Sequence, residues 1–302
     1  MKPYLSINLF FLLTLAVTSC TDNPDPQNPN QTPDPLPADK REIRISPSFS
    51  TRATDFGFET DDCVGLFVVN YNGDKPGNLI NSGHHIDNMR FKYSGVWTPD
   101  SPIYWTDDKT FADFYLYYPY SQVNSVTAYP FSVKADQSTE AAFKASDMMI
   151  GKALKVVPTS YSIVIPVDHI MSRIVIQLEA GNGFTKESLA KSNIDVRING
   201  VKTDAVVNLA NGAVTPTGSA TVITPYYVNE SYRALIVPQT VDDTELISVR
   251  VDGTEYTLKR AFTFESAKSY TFTVTLSKTS NGINVNINPW NEDDIDYGGV
   301  AQ

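Results

Sequence analysis

The chain has 302 residues, 41% of them hydrophobic, enough for one large or two ordinary domains. Thirty-four acids against 24 bases leave a formal net charge of -10. That argues against a nucleic-acid partner, whose phosphates demand clustered Lys and Arg. The cysteines are two, Cys20 and Cys63. Once Cys20 is committed elsewhere, as argued next, no disulfide framework is possible.

The first twenty residues do not belong to the fold. Lys2 precedes an apolar run from Leu5 to Val17, shorter than the roughly 20 residues a bilayer span needs. Residues 1–19 therefore read as a secretory signal. Val17-Thr18-Ser19-Cys20 resembles the lipobox of bacterial lipoproteins. That resemblance implies cleavage before Cys20, a diacylglycerol on its sulfur and an acylated (palmitate-type) new N-terminus. At ~0.8 kcal/mol per buried methylene, two or more chains make a stable anchor in an outer membrane. Residues 20–40 follow as a tether. The stretch TDNPDPQNPNQTPDPLPADK holds six prolines and almost nothing to bury, so it cannot offset its ordering entropy. At ~3.1 Å per residue in polyproline form, it reaches roughly 60 Å.

From Arg41 onward the hydrophobic period is two. Arg173 to Leu178 alternates. The segment Ile247-Ser248-Val249-Arg250-Val251 alternates and meets Asp252-Gly253, then Tyr256-Thr257-Leu258, as a hairpin. A second hairpin joins Tyr270–Leu276 to Ile283–Asn288 across Asn281-Gly282. The best helix candidate is Lys186–Ser192 behind a Thr185 cap, one or two turns long. Short strands with Gly and Pro turns predict an all-β sandwich fold. About 260 residues are many for one sandwich, so two β-sandwich domains are expected, 41–165 and 166–302, the second ending in a short acidic tail.

No residue constellation points to an enzyme, a cofactor or a metal. GxSxG, P-loop and GxGxxG patterns are absent from the sequence. His84-His85 falls in a turn-like stretch without HExxH or a Cys partner, and His169 reads as a hydrogen-bonded structural residue. Neighbouring acids in Asp61-Asp62 and Asp293-Asp294 point to opposite faces of a strand and read as solvated charge. Cys63, in an apolar strand pattern, reads as a buried inert thiol. Tyrosines cluster at Tyr115, Tyr117, Tyr118 and Tyr120. One face of that strand is core, and Tyr117 and Tyr120 are candidate stacking platforms for a glycan.

Taken in order, several stretches resemble the fimbrillin family of Bacteroides-type bacteria, the subunits and accessory proteins of type V pili. They are Glu42-Ile43-Arg44-Ile45, Ser50-Thr51-Arg52-Ala53-Thr54, Asp62-Cys63-Val64-Gly65-Leu66-Phe67, Phe91-Lys92-Tyr93 with Trp97, and Ile103-Tyr104-Trp105. Phe114–Pro119, Asp168–Ile174, Leu235–Gln239 and Ile287–Trp290 complete the order. The resemblance implies two tandem transthyretin-like β-sandwich domains behind a lipidated N-terminus, in a non-enzymatic fimbrium subunit serving cell adhesion. It also implies that an arginine-specific protease frees the first strand and that a strand of the next subunit fills the groove by β-augmentation. Glu42 to Ser50 fits that first strand, with Arg52 the preferred cleavage site and Arg44 and Arg41 as alternatives. The partners implied are other pilus subunits, the outer membrane through lipid, and a host glycan or protein. The tail from Asn291 to Gln302 is acidic and glycine-interrupted, a poor strand to donate, which points to a tip or accessory role. A non-polymerising glycan-binding surface lipoprotein and a pilus anchor that keeps its lipid are the alternatives.

Overall fold

The computed structural model describes residues 41–49, 57–278, 284–289 and 297–299, the last two segments as backbone strands. In chain order the first half contributes β1 (Arg44–Phe49), β2 (Cys63–Asn70), β3 (Ile86–Tyr93), β4 (Trp97–Pro99), β5 (Ala112–Tyr118), β6 (Tyr129–Ser132), β7 (Met149–Val156) and β8 (Ser162–His169). Then come β9 (Ser172–Ala180), β10 (Ile194–Val207), β11 (Val214–Ile223), β12 (Tyr226–Val228), β13 (Ser231–Ile236), β14 (Gln239–Val251), β15 (Thr254–Phe264) and β16 (Ser269–Leu276). The strands β17 (Asn284–Pro289) and β18 (Tyr297–Gly299) close the order. Two short helices, α1 (Glu140–Lys144) and α2 (Lys186–Lys191), interrupt the strands. The second starts where expected, with Thr185 and Ser188 forming a reciprocal capping box.

The fold is all-β, as the period-two patterning predicts. One seven-stranded sheet runs β1-β8-β7-β5-β2-β3-β4. Two further sheets hold most of the second half, β11-β10-β14-β15 with β6 on β10, and β12-β13-β9-β16-β17-β18. Both expected hairpins form. β14 and β15 are antiparallel partners across Asp252 (φ 50°) and Gly253 (φ 91°), the left-handed pair that a two-residue turn needs. β16 and β17 pair antiparallel from Tyr270↔Pro289 to Thr275↔Asn284.

The division expected after Ile165 falls inside β8, which continues to His169 in register with β1 and β7. After an excursion through β6, which pairs with β10, the chain leaves the seven-stranded sheet for good at Ile170-Met171. Period two marks a strand but not its sheet, so the Pro166 cue misplaced the change.

The central strands of the seven-stranded sheet are buried on both faces. Val64, Leu66 and Val68 of β2 and Ala112, Phe114 and Leu116 of β5 face one apolar cluster, together with Ile43, Ile45, Ile163 and Ile165. The alternate side chains Phe67, Val69 and Tyr117 face the other way. They join the larger cluster that fills the space between the two sheets of the second half. Near-continuous apolar runs such as Val64–Val69 are the signature of such doubly covered strands.

Candidate functional site

β1 is an edge strand. It pairs in parallel with β8 from Arg44↔Ser162 to Phe49↔Val167, and β8 is its neighbour in the sheet order. Alternation turns Ile43 (1% exposed) and Ile45 (4%) into the core, while the Arg44 side chain is 61% exposed. Before the strand begins, the backbone crosses to a second partner. The Ile43 N–H donates to the Ile103 carbonyl at 2.8 Å, and the Trp105 N–H donates to the Arg41 carbonyl at 3.1 Å. At its far end Phe49 stacks on Phe58 at 4.9 Å and on the His169 imidazole at 6.0 Å. The strand is thus fastened at both ends and has an open outer edge between them.

That open edge borders a groove of about 710 Å³. β1 forms one wall and the β3–β4 hairpin, with Tyr93 and Trp97, forms the other. Tyr93 and Trp97 are register partners across the hairpin, with ring centroids 5.0 Å apart. Phe58 sits edge-on to Trp97 at 4.9 Å. Sequence reasoning placed Trp97 in a family-like stretch but assigned no role to it, to Tyr93 or to Phe58. No local signal brings 42–47, 58 and 93–98 together.

Among the arginine candidates, Arg41 is 9% exposed, with its guanidinium 3.5 Å from the Pro158 carbonyl. Arg44 lies within β1, its guanidinium 3.3 Å from Glu42. Arg52 and Cys20 lie outside the described residues, as do Asp293 and Asp294.

Tyr117 corrects an expectation. Its ring is 1% exposed, so it offers no stacking face to a ligand. The hydroxyl donates to Asn88 Oδ1 at 2.7 Å and lies 2.6 Å from the Ser121 carbonyl. Burial pushes its pKa well up, which keeps it a donor. Both faces of β5 are core because the second half covers the face that alternation alone left open. Tyr120 is half-buried, with the Arg90 guanidinium 5.8 Å from its ring centre.

The histidines are held structurally. His84 Nδ1 is 2.6 Å from Asp87, and its Nε2 accepts the Ile80 N–H at 2.9 Å. His85 lies 2.6 Å from the Tyr104 carbonyl. Among the described residues, no three His, Cys, Asp or Glu side chains gather as a metal requires. Cys63 is only partly buried because it opens β2, and its Sγ donates to the Asp61 carbonyl at 3.4 Å. Asp61 and Asp62 engage different partners, Lys92 Nζ at 2.6 Å and the Tyr118 hydroxyl at 3.0 Å respectively.

His169 Nδ1 sits 2.9 Å from the Asp147 carboxylate. Burial alone would lower its pKa, and Arg173 opposes protonation too. The hydrogen bond and charge of Asp147, helped by Asp168, outweigh both, so the pKa rises above its ordinary value. A raised folded-state pKa gives stability that is fully present below about pH 6.5 and is lost as pH climbs through the folded value. The stability difference between the wild type and His169→Asn is therefore expected to shrink from about pH 5.5 to about pH 8. Urea titrations at both pH values check this, and a difference that is flat or grows with pH contradicts it.

Residues 51–290 match the family described as fimbrillin-like. The chain belongs to the fimbrillin-like family. Three solved structures share its architecture. A protein of Bacteroides uniformis assigned to cell adhesion superposes with a TM-score of 0.63 at 21% identity, covering 83% of this chain and 99% of that one. A Bacteroides ovatus protein with the same assignment gives 0.65 at 18% identity, covering 84% and 98%. A fimbrial protein of Bacteroides ovatus gives 0.50 at 21% identity, covering 77% of this chain and 48% of that one. At these identities the likeness is one of fold. No curated protein matches this fimbrillin-like chain at a significant level. The family match begins at Thr51, so β1 lies ahead of it.

Proposed function

We propose that this fimbrillin-like chain is a subunit of a cell-surface fimbrium that contributes to adhesion, and that β1 is its removable strand. On this reading lipid on Cys20 carries the chain to the outer membrane. Trimming after Arg52 then releases lipid, tether and β1 together, and an extended strand of a neighbouring subunit takes the vacated place on β8. The observation that carries the reading is the edge position of β1. A strand with one sheet neighbour leaves without breaking the rest of the ladder, whereas a central strand does not.

Arg52 is favoured over its alternatives because cutting at Arg44 or Arg41 would leave most of β1 attached, and because proteases cut poorly at paired or buried backbone. Arg44 lies within a paired strand and Arg41 is buried. A tip or accessory position fits the tail. Asn291–Asp296 carries four acids, and Tyr297–Gly299 folds back as β18 along β17. A strand so composed and so placed is poorly suited to donation. A subunit left uncut keeps its lipid and serves as an anchor instead.

Treatment with an arginine-specific protease tests this directly. The expected result is one cut after Arg52, seen by N-terminal sequencing, followed by strand-linked ladders resistant to mild detergent. Arg52→Ala should abolish both. A cut chain that stays monomeric in the presence of partner subunits would sink the proposal.

A further inference from the structure

The groove beside β1 has one largely aromatic wall and one of mixed character. On the hairpin side Tyr93 and Trp97 make a continuous half-buried aromatic surface, closed at one end by Phe58. On the β1 side Glu42, Arg44 and Ser46 alternate with the apolar Ile43, Ile45 and Pro47, with Ser162 of β8 and Thr98 of β4 also in the lining. Glu42 and Arg44 are the charged residues of the lining, and they neutralise each other at 3.3 Å. An anionic or cationic ligand therefore finds no net countercharge here.

A second polypeptide strand does not fit beside a docked β1. Neighbouring strands lie about 4.8 Å apart, so a strand inserted between β1 and β4 needs about 9.6 Å. The two come within 8 Å, Cα to Cα. The backbone of β1 is also a poor partner. Arg41 and Ile43 turn their backbone groups toward 103–105, so alternation turns those of Ile45, Pro47 and Phe49 to the same open side, and Pro47 has no N–H to give. The groove is thus too narrow for a strand where β1 and β4 approach, its lining charges are balanced, and it combines an aromatic wall with polar side chains set among apolar ones. Its volume lies within the range of small-molecule sites. A pyranose ring matches this description, with a C–H face to lie on an aromatic ring and a rim of hydroxyls for polar groups.

We propose that the groove between β1 and the β3–β4 hairpin binds a short neutral oligosaccharide, with Trp97 and Tyr93 as the stacking platform and Arg44, Glu42 and Ser46 as the hydroxyl-binding side. This site exists on the untrimmed chain, with β1 in place, and trimming after Arg52 would remove its polar wall.

The test is saturation-transfer NMR and titration of the full chain, solubilised in detergent, with cellotriose, maltotriose, xylotriose and chitotriose, and with sialyllactose as a charged probe. At least one neutral trisaccharide should bind saturably. Trp97→Ala should weaken it tenfold or more. Because Trp97 also packs on the core, Arg44→Ala provides the second arm, on an exposed side chain, with an expected loss of threefold or more. Tyr227→Ala, at an exposed tyrosine outside the groove lining, should leave binding unchanged. The proposal is overturned if no neutral sugar binds, if sialyllactose binds most tightly, if both groove variants bind like the wild type, or if Tyr227→Ala weakens binding as they should. Ladder formation after trimming is scored separately. Its failure would remove the assembly reading and leave the groove result standing.

Discussion

A chain lacking residues 41–52 is expected to lose about 3–6 kcal/mol of stability and to self-associate more strongly than the intact chain. Ile43 and Ile45 are almost wholly buried, and burying an isoleucine contributes about 1.5–3 kcal/mol. The Phe49 stack on Phe58 and the ladder to β8 add to that. Removing β1 uncovers Ile163 and Ile165, now 2% and 0% exposed, and leaves β8 as an unpaired edge that invites another chain. Urea denaturation and light scattering read the two effects. A synthetic peptide of residues 41–50 should reverse both effects when added in excess. A truncated chain as stable as the parent and no more associated would show that β1 is decoration, and the strand-exchange reading would fall with it.

Gly65→Val should be the most damaging single substitution in the seven-stranded sheet, at about 3–5 kcal/mol. Gly65 and Tyr117 are register partners on the central strands β2 and β5, and the tyrosine ring lies across the glycine. A Cβ at position 65 would overlap the Tyr117 ring. The ring would have to leave its buried place, and with it the hydroxyl bonds to Asn88 and Ser121. Overpacking a core costs about 1–3 kcal/mol or more, and orphaning buried polar groups a further 1–3. Tyr117→Phe separates the two parts. It keeps the ring and should cost only the polar share, about 1–3 kcal/mol. Thermal melts of both variants decide the matter. Gly65→Val melting within a few degrees of wild type would mean that the ring has another place to go.

Much of the fold was legible because its signals are local. The turn Asp252-Gly253 requires left-handed backbone at two successive residues and announces its hairpin. The Thr185 cap sits beside the helix it starts, with its partner Ser188 three residues on. Alternation from Tyr270 to Leu276 and from Arg173 to Leu178 marks strands with one buried face, and β16 and β9 indeed pair in parallel. The candidate site was legible only in part. Glu42–Ser50 was readable as a first strand, yet nothing in those residues says that it ends up at an edge. Tyr117 was misplaced because period two divides a strand into two faces without saying what covers either. The division after Ile165 failed for the same reason, since β8 reads alike whichever sheet it joins.

The sequence by itself determined the strand-rich class, the turns, the short helix and its cap, and the acidic character of the chain. Each depends on residues a few positions apart. The tertiary structure alone decided that β1 lies on β8 with its outer side open, that Phe67 and Tyr117 reach into the core of the second half, and that Phe58, Tyr93 and Trp97 meet Arg44 across one groove. Those outcomes follow from pairings between residues far apart in the chain. Strand order and face coverage are set by how whole sheets bury apolar area together, and no local pattern carries that information.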